Sequence, residues 1–170
     1  MRDLVEDHGT PEFCRKALLI LGCGNVLFGD DGFGCAVIEY MQARREVPEY
    51  VCLLDAGTGV RKLLFTLLLS AARPACVLIV DAVDAGRTPG ELFEIRTSER
   101  PVRKMDDFAM HESPSRSLLE ELRTCGMEVR ILGCQTGPLP DQICPGMCEP
   151  VEAALPKAVE WIAREYFTRL

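Results

Sequence analysis

The chain has 170 residues, 48% hydrophobic and 26% charged, with a formal net charge of -7; this is the balance of one globular domain. Its acidic surface disfavours nucleic acid and anionic membranes, since like charges repel phosphate-rich partners. Met1 to Lys16 lacks the apolar centre of a signal peptide, and apolar runs such as Leu63 to Ala72 are too short to cross a bilayer, so a cytoplasmic protein is expected.

Leu18 to Leu21 is a short apolar run of the kind that forms a buried strand, and Gly22 and Gly24 turn the chain after it. Two carboxylates follow, Asp30 and Asp31, and then Gly32 and Gly34. Cys35, Ala36, Val37, Ile38, Tyr40 and Met41 have helical spacing, which predicts a helix from about Phe33 to Arg44. The spacing of Gly22, Gly24 and Gly29 misses the dinucleotide fingerprint, no Lys follows as in a phosphate loop, and two Asp would repel a pyrophosphate. An acidic loop at a strand end suits a cation. One Asp could instead cap the helix, but one cap needs only one Asp.

Pro48 and Glu49 mark a turn into a second strand, Tyr50 to Leu54, that ends on Asp55. Gly57, Thr58 and Gly59 make a loop, and Leu63, Leu64, Leu67 and Leu68 recur with helical spacing. Cys76 to Val80 is a third strand ending on Asp81. Strands alternating with helices predict an α/β fold: one three-layer domain with a mostly parallel twisted sheet of about five strands and helices on both faces. If the first strand lies between the second and third, Asp31, Asp55 and Asp81 meet at the carboxyl edge as a carboxylate cation site.

Asp84 to Gly90 must turn, and Glu91 to Arg96 alternates like an edge strand. Thr97 to Met110 reads as a surface loop delivering His111, with Ser113 and Pro114 as the cap and first residue of a helix through about Thr124. Helix dipoles would favour a neutral, metal-binding His111 and clustered carboxylates its charged form; a solvated loop histidine is the plainer alternative. Met127 to Leu132 is another strand, entering Gly133 to Gly137. A loop with Pro138, Pro140, Pro145 and Gly146 precedes a last helix from Cys148 or Glu149, where Pro156 predicts a kink or a delayed start.

The nine cysteines are an odd count, several lie in apolar runs, and reduced buried thiols fit them better than a disulfide framework. Cys144 and Cys148 are the one close pair, without a nearby His, and make a weak case for zinc.

GCGNVLFGDDGFG at Gly22 to Gly34, LDAGTG at Leu54 to Gly59, VDAVDAG at Val80 to Gly86, His111 before a capped helix, and GCQTG at Gly133 to Gly137 together resemble the NiFe-hydrogenase maturation endopeptidases. The likeness is nearest to the branch serving deazaflavin-coenzyme-reducing hydrogenases of methanogenic archaea. It runs from about Ala17 onward, dividing the chain into an N-terminal extension, 1–16, and a peptidase-like α/β domain, 17–170. The resemblance implies one cleavage near the C-terminus of a hydrogenase large-subunit precursor after nickel insertion. Its metal-reading positions fall on Asp31, Asp81 and His111. The nickel then belongs to the substrate, and isolated protein would hold at most an adventitious divalent metal.

Many members have Glu where this chain has Asp31, which moves the carboxylate back by about one methylene. Asp31 and Asp55 are the candidate catalytic carboxylates, Asp55 as general base for water or as a peptide-positioning group. A strand-end Asp55 bonded to its own loop is the plainer alternative. No Ser, His and Asp set can be argued from residue order. Expected partners are the large-subunit precursor, with no nucleic acid and no membrane, and a monomer is favoured. The competing functions are a non-cleaving metal-sensing chaperone of the large subunit, a small-molecule hydrolase and, most weakly, a nucleotide-binding oxidoreductase.

Overall fold

Apolar runs without alternation become strands buried on both faces. A computed structural model describes residues 10–44, 46–95 and 116–167. Its strands are β1 (Leu18–Cys23), β2 (Val51–Gly57), β3 (Cys76–Val83), β4 (Leu92–Ile95) and β5 (Glu128–Gln135). Their order is β2-β1-β3-β5-β4, parallel throughout except for the antiparallel edge strand β4. This is the expected mostly parallel five-stranded sheet, and β1 lies between β2 and β3, the condition for the acidic strand ends to share an edge.

Successive side chains of a strand point to opposite faces, so each parallel strand feeds two cores. Leu18, Ile20, Leu78 and Val80 pack under α2 (Phe33–Arg44) and the C-terminal helices. Leu19, Leu21, Val77 and Ile79 pack under α3 (Val60–Leu69) and α4 (Arg116–Thr124). The short α1 (Glu12–Arg15) adds the fully buried Cys14 to the second core, tying part of the N-terminal segment to the sheet. Among the described residues no helix is long and apolar enough to cross a membrane.

The expected C-terminal helix is two helices. After α5 (Glu149–Glu152) the chain breaks and restarts as α6 (Leu155–Ile162), with Pro156 in the first turn, where its missing N–H costs nothing. Val151, Ala154, Leu155, Ala158, Val159 and Ile162 are nevertheless all buried on one face.

β2 and β3 run past their expected ends, so Asp55 and Asp81 lie within strands and not in the loops after them. Between β1 and α2 a 3-10 turn, Gly29–Gly32, carries the two acidic residues. The first turn of α2 crosses the ends of β1 and β3 so closely that a Cβ on Gly34 would strike the carbonyl oxygens of Val80 and Cys23. A Cβ on Gly22 would strike the Gly34 carbonyl. Backbone faces backbone here, and neither side can yield. Gly34→Ala is expected to lower unfolding stability by about 3 kcal/mol, read as a lower urea midpoint at unchanged slope.

Candidate active site

The site begins with register. Gly22 on β1 lies opposite Asp55 on β2 and Val80 on β3, so Asp55 and Asp81 flank the end of β1. The Gly24 N–H donates to the Gly57 carbonyl at 3.1 Å, joining the loop after β1 to the end of β2. With φ of +119°, Gly24 takes a conformation that side chains avoid, and a Cβ there would collide with the Asp31 carbonyl.

Asp31 is only 5% exposed, and its Oδ2 accepts the Asn25 N–H at 2.7 Å. Asp81, half-buried and opposite Gly133 on β5, accepts the Ala82 N–H at 2.9 Å. Burial first, and then the negative charge of Asp31, push the Asp81 carboxyl up to about 7 against the opposing Ala82 N–H. The two carboxylates therefore feel each other, and near neutrality Asp81 is partly protonated.

Asp55 is exposed, and its Oδ1 accepts the Gly57 N–H at 2.9 Å. Near Asp55 and Asp81 are two thiols that sequence reasoning did not assign to the site. Cys35, one helical turn after Asp31, donates to the Gly24 carbonyl at 3.7 Å. Burial, then a hydrogen bond with Asp55 and the charges of Asp55 and Asp81, push it up to about 12. Cys23 is raised chiefly by burial, then by Asp81, Cys35 and Asp55. Both thiols stay neutral near pH 7, which removes them as nucleophiles.

The expected three-carboxylate cation site does not form. Among the described residues no group of three His, Cys, Asp or Glu side chains is placed to hold a metal. Asp55 shares the edge, but one of its oxygens is taken by the local turn at Gly57. His111, the loop of Thr97 to Met110 and the Ser113 and Pro114 cap all lie outside the described residues.

Asp30 does not cap the helix. The cap position of the 3-10 turn is Phe28, without a side-chain cap bond, and Asp30 points away to another part of the chain. Its Oδ1 accepts the Cys148 N–H at 2.7 Å, and its Oδ2 accepts the Gly137 N–H at 2.7 Å and the Cys148 thiol at 3.2 Å. Gln135 makes a second polar junction. Its Oε1 accepts the Ala85 and Arg87 N–H groups at 2.8 and 3.0 Å, while its Nε2 donates to Asp84 and to the Thr136 carbonyl at 3.1 and 2.8 Å. Both residues are buried, 4% and 3% exposed, and a carboxylate or amide buried there calls for such partners. The GCQTG motif marked Gln135 in the sequence; nothing local marked the partners of Asp30.

A family model described as hydrogenase maturation protease matches residues 35–165. A Methanocaldococcus jannaschii relative is 39% identical over 153 residues, which cover 89% of this chain and 97% of that protein. The coenzyme F420 hydrogenase subunit delta of Methanothermobacter thermautotrophicus is 33% identical, with 87% of this chain and 93% of that one covered. Among solved structures, the hydrogenase 3 maturation protease superposes with a TM-score of 0.69 at 26% identity, covering 86% of this chain and 89% of that one. A hydrogenase maturating endopeptidase from E. coli gives 0.64 at 28% identity, covering 87% and 92%.

The raised Asp81 carboxyl has a consequence for stability. Between about pH 4 and pH 7 the folded chain holds a proton at Asp81 that the unfolded chain has released, so this group's contribution falls as pH rises. The penalty is absent below the unfolded value and complete above about pH 7. Asp81→Asn is expected to raise unfolding stability by roughly 2 to 4 kcal/mol at pH 8 and by much less at pH 4.5, measured by urea denaturation at both. Equal gains at the two pH values would contradict the assignment.

Proposed function

This chain belongs to the hydrogenase maturation protease family, and we propose that it removes the C-terminal extension of a NiFe-hydrogenase large-subunit precursor after nickel insertion. The observation that carries this reading is the electrostatic pairing of Asp31 and Asp81 at the carboxyl edge of the sheet.

In this reading the nickel arrives as part of the substrate. Asp31, Asp81 and His111 contact it, because two carboxylates and an imidazole are a donor set for a borderline cation. An approaching cation favours the charged forms of Asp31 and Asp81 together, so the proton on Asp81 leaves as the loaded precursor docks. Precursor without nickel brings no positive charge to displace that proton and docks poorly.

Hydrolysis needs a group that accepts a proton from water as its oxygen attacks the scissile carbonyl, and that returns a proton to the departing amine. Asp55 suits that work, since it is exposed and one of its oxygens is not needed by the Gly57 turn. Asp31 is the second candidate. The neutral state of Cys23 and Cys35 argues against a covalent thioester route.

The decisive experiment is mass spectrometry of the cognate precursor, nickel-loaded and nickel-free, after incubation with the protein and with Asp31→Asn. A C-terminal peptide should be lost from the loaded precursor alone, with the rate reduced at least about 100-fold in the variant. Stable complex formation without any change in mass would overturn the endopeptidase reading and leave a non-cleaving, metal-sensing chaperone.

A further inference from the structure

Asp30 and Asp31 are adjacent and both buried, yet their surroundings differ in kind. Asp31 sits beside another carboxylate, Asp81. Asp30 is surrounded by donors: the backbone N–H groups of Gly137 and Cys148 at 2.7 Å each, and the Cys148 thiol at 3.2 Å. A group receiving these donors on both oxygens is not poised to take up a cation. It is built as a junction.

What the junction joins is specific. Gly137 follows β5, and Cys148 is the cap position of α5, so one carboxylate holds both ends of the intervening proline-containing loop. Midway, that loop returns to the segment preceding Asp30. Cys144 N–H donates to the Leu27 carbonyl at 2.8 Å, Gly29 N–H donates to the Cys144 carbonyl at 3.0 Å, and Phe28 and Cys144 form a parallel bridge. The fit around the carboxylate is tight, since a Cβ on Gly137 would lie 3.3 Å from Asp30 Oδ2 and 3.6 Å from the Cys148 sulfur.

We propose that Asp30 is the positioning residue of this site: it locks the loop between Gly137 and Cys148 to the turn that carries Asp31, and so fixes the Asp31 carboxylate without touching substrate. The proposal rests on the endopeptidase reading above. A carboxylate is required because every one of these neighbours is a donor. An amide in its place turns an N–H toward another N–H, leaving one oxygen for two segments that must be held together.

The test uses the full chain. In Asp30→Asn, hydrogen exchange at the Gly137 and Cys148 amides should accelerate at least about tenfold, while core amides at Ile20 and Leu78 keep their protection. With nickel-loaded precursor, kcat should fall at least about tenfold and KM change less than about threefold. Gly137→Ala keeps Asp30 but places a Cβ 3.3 Å from its Oδ2, and should shift exchange and kcat in the same direction by a smaller factor even if the Asn variant folds poorly. Unchanged exchange at the two loop amides, or a wild-type kcat in both variants, overturns the proposal. So does equal acceleration of the core amides, which would make the kinetic loss one of general stability. Absence of cleavage by the unmodified protein overturns the endopeptidase reading and the kinetic claim with it, while the exchange pattern still decides whether Asp30 joins the loops.

Discussion

The close passage of backbone at Gly22 and Gly34 is the constraint from which the rest of the site follows. Because α2 starts in contact with the ends of β1 and β3, the turn before it has little room and must deliver both acidic residues at the carboxyl edge. A side chain at either glycine would lift the helix off the sheet. Asp31 would then lose both its depth and its nearness to Asp81. The glycines of this stretch, which superficially suggest phosphate binding, serve backbone approach in the service of negative charge.

That charge is arranged with unequal burdens. Asp81 bears the cost of the pairing, as a carboxyl pushed up to about 7 by burial and by its neighbour. Cys23 and Cys35 lie near Asp55 and Asp81 as neutral groups and add no further negative charge to the edge. So acidic an edge coexists with a stable sheet, since one carboxyl can stay protonated until something positive arrives.

Much of this was legible in the sequence. The helix from about Phe33 to Arg44 is legible because glycines precede it and its apolar residues have helical spacing. Alternation with helices predicts a parallel sheet, while the place of β1 between β2 and β3 enters the sequence reading only as a condition, which the sheet order meets. Strand ends were less legible: Asp55 and Asp81 disfavour strands as residue types, but pairing with β1 and β5 carries the backbone through them. The convergence of three carboxylates was over-read, because the local turn that engages Asp55 competes with any shared ligand. The role of Asp30 is not legible locally, because its partners are 107 and 118 positions away, beyond any local pattern.

Holding this edge with polar junctions, and not with apolar packing, has a mechanical meaning. Apolar contacts tolerate sliding, whereas a carboxylate bound by two backbone N–H groups and a thiol accepts one arrangement of the segments that supply them. Gln135 acts in the same way on the turn from Asp84 to Arg87, and Asp30 acts on the loop after β5. The two junctions grip the chain at Gln135 and Gly137, with Thr136 alone between them, so a shift in one is felt at the other. Losing one partner also leaves buried N–H groups without acceptors, so the edge gives way as a unit instead of softening gradually. That all-or-none character keeps the Asp31 carboxylate in one place, because a buried carboxylate free to drift would no longer sit where the end of the sheet presents it.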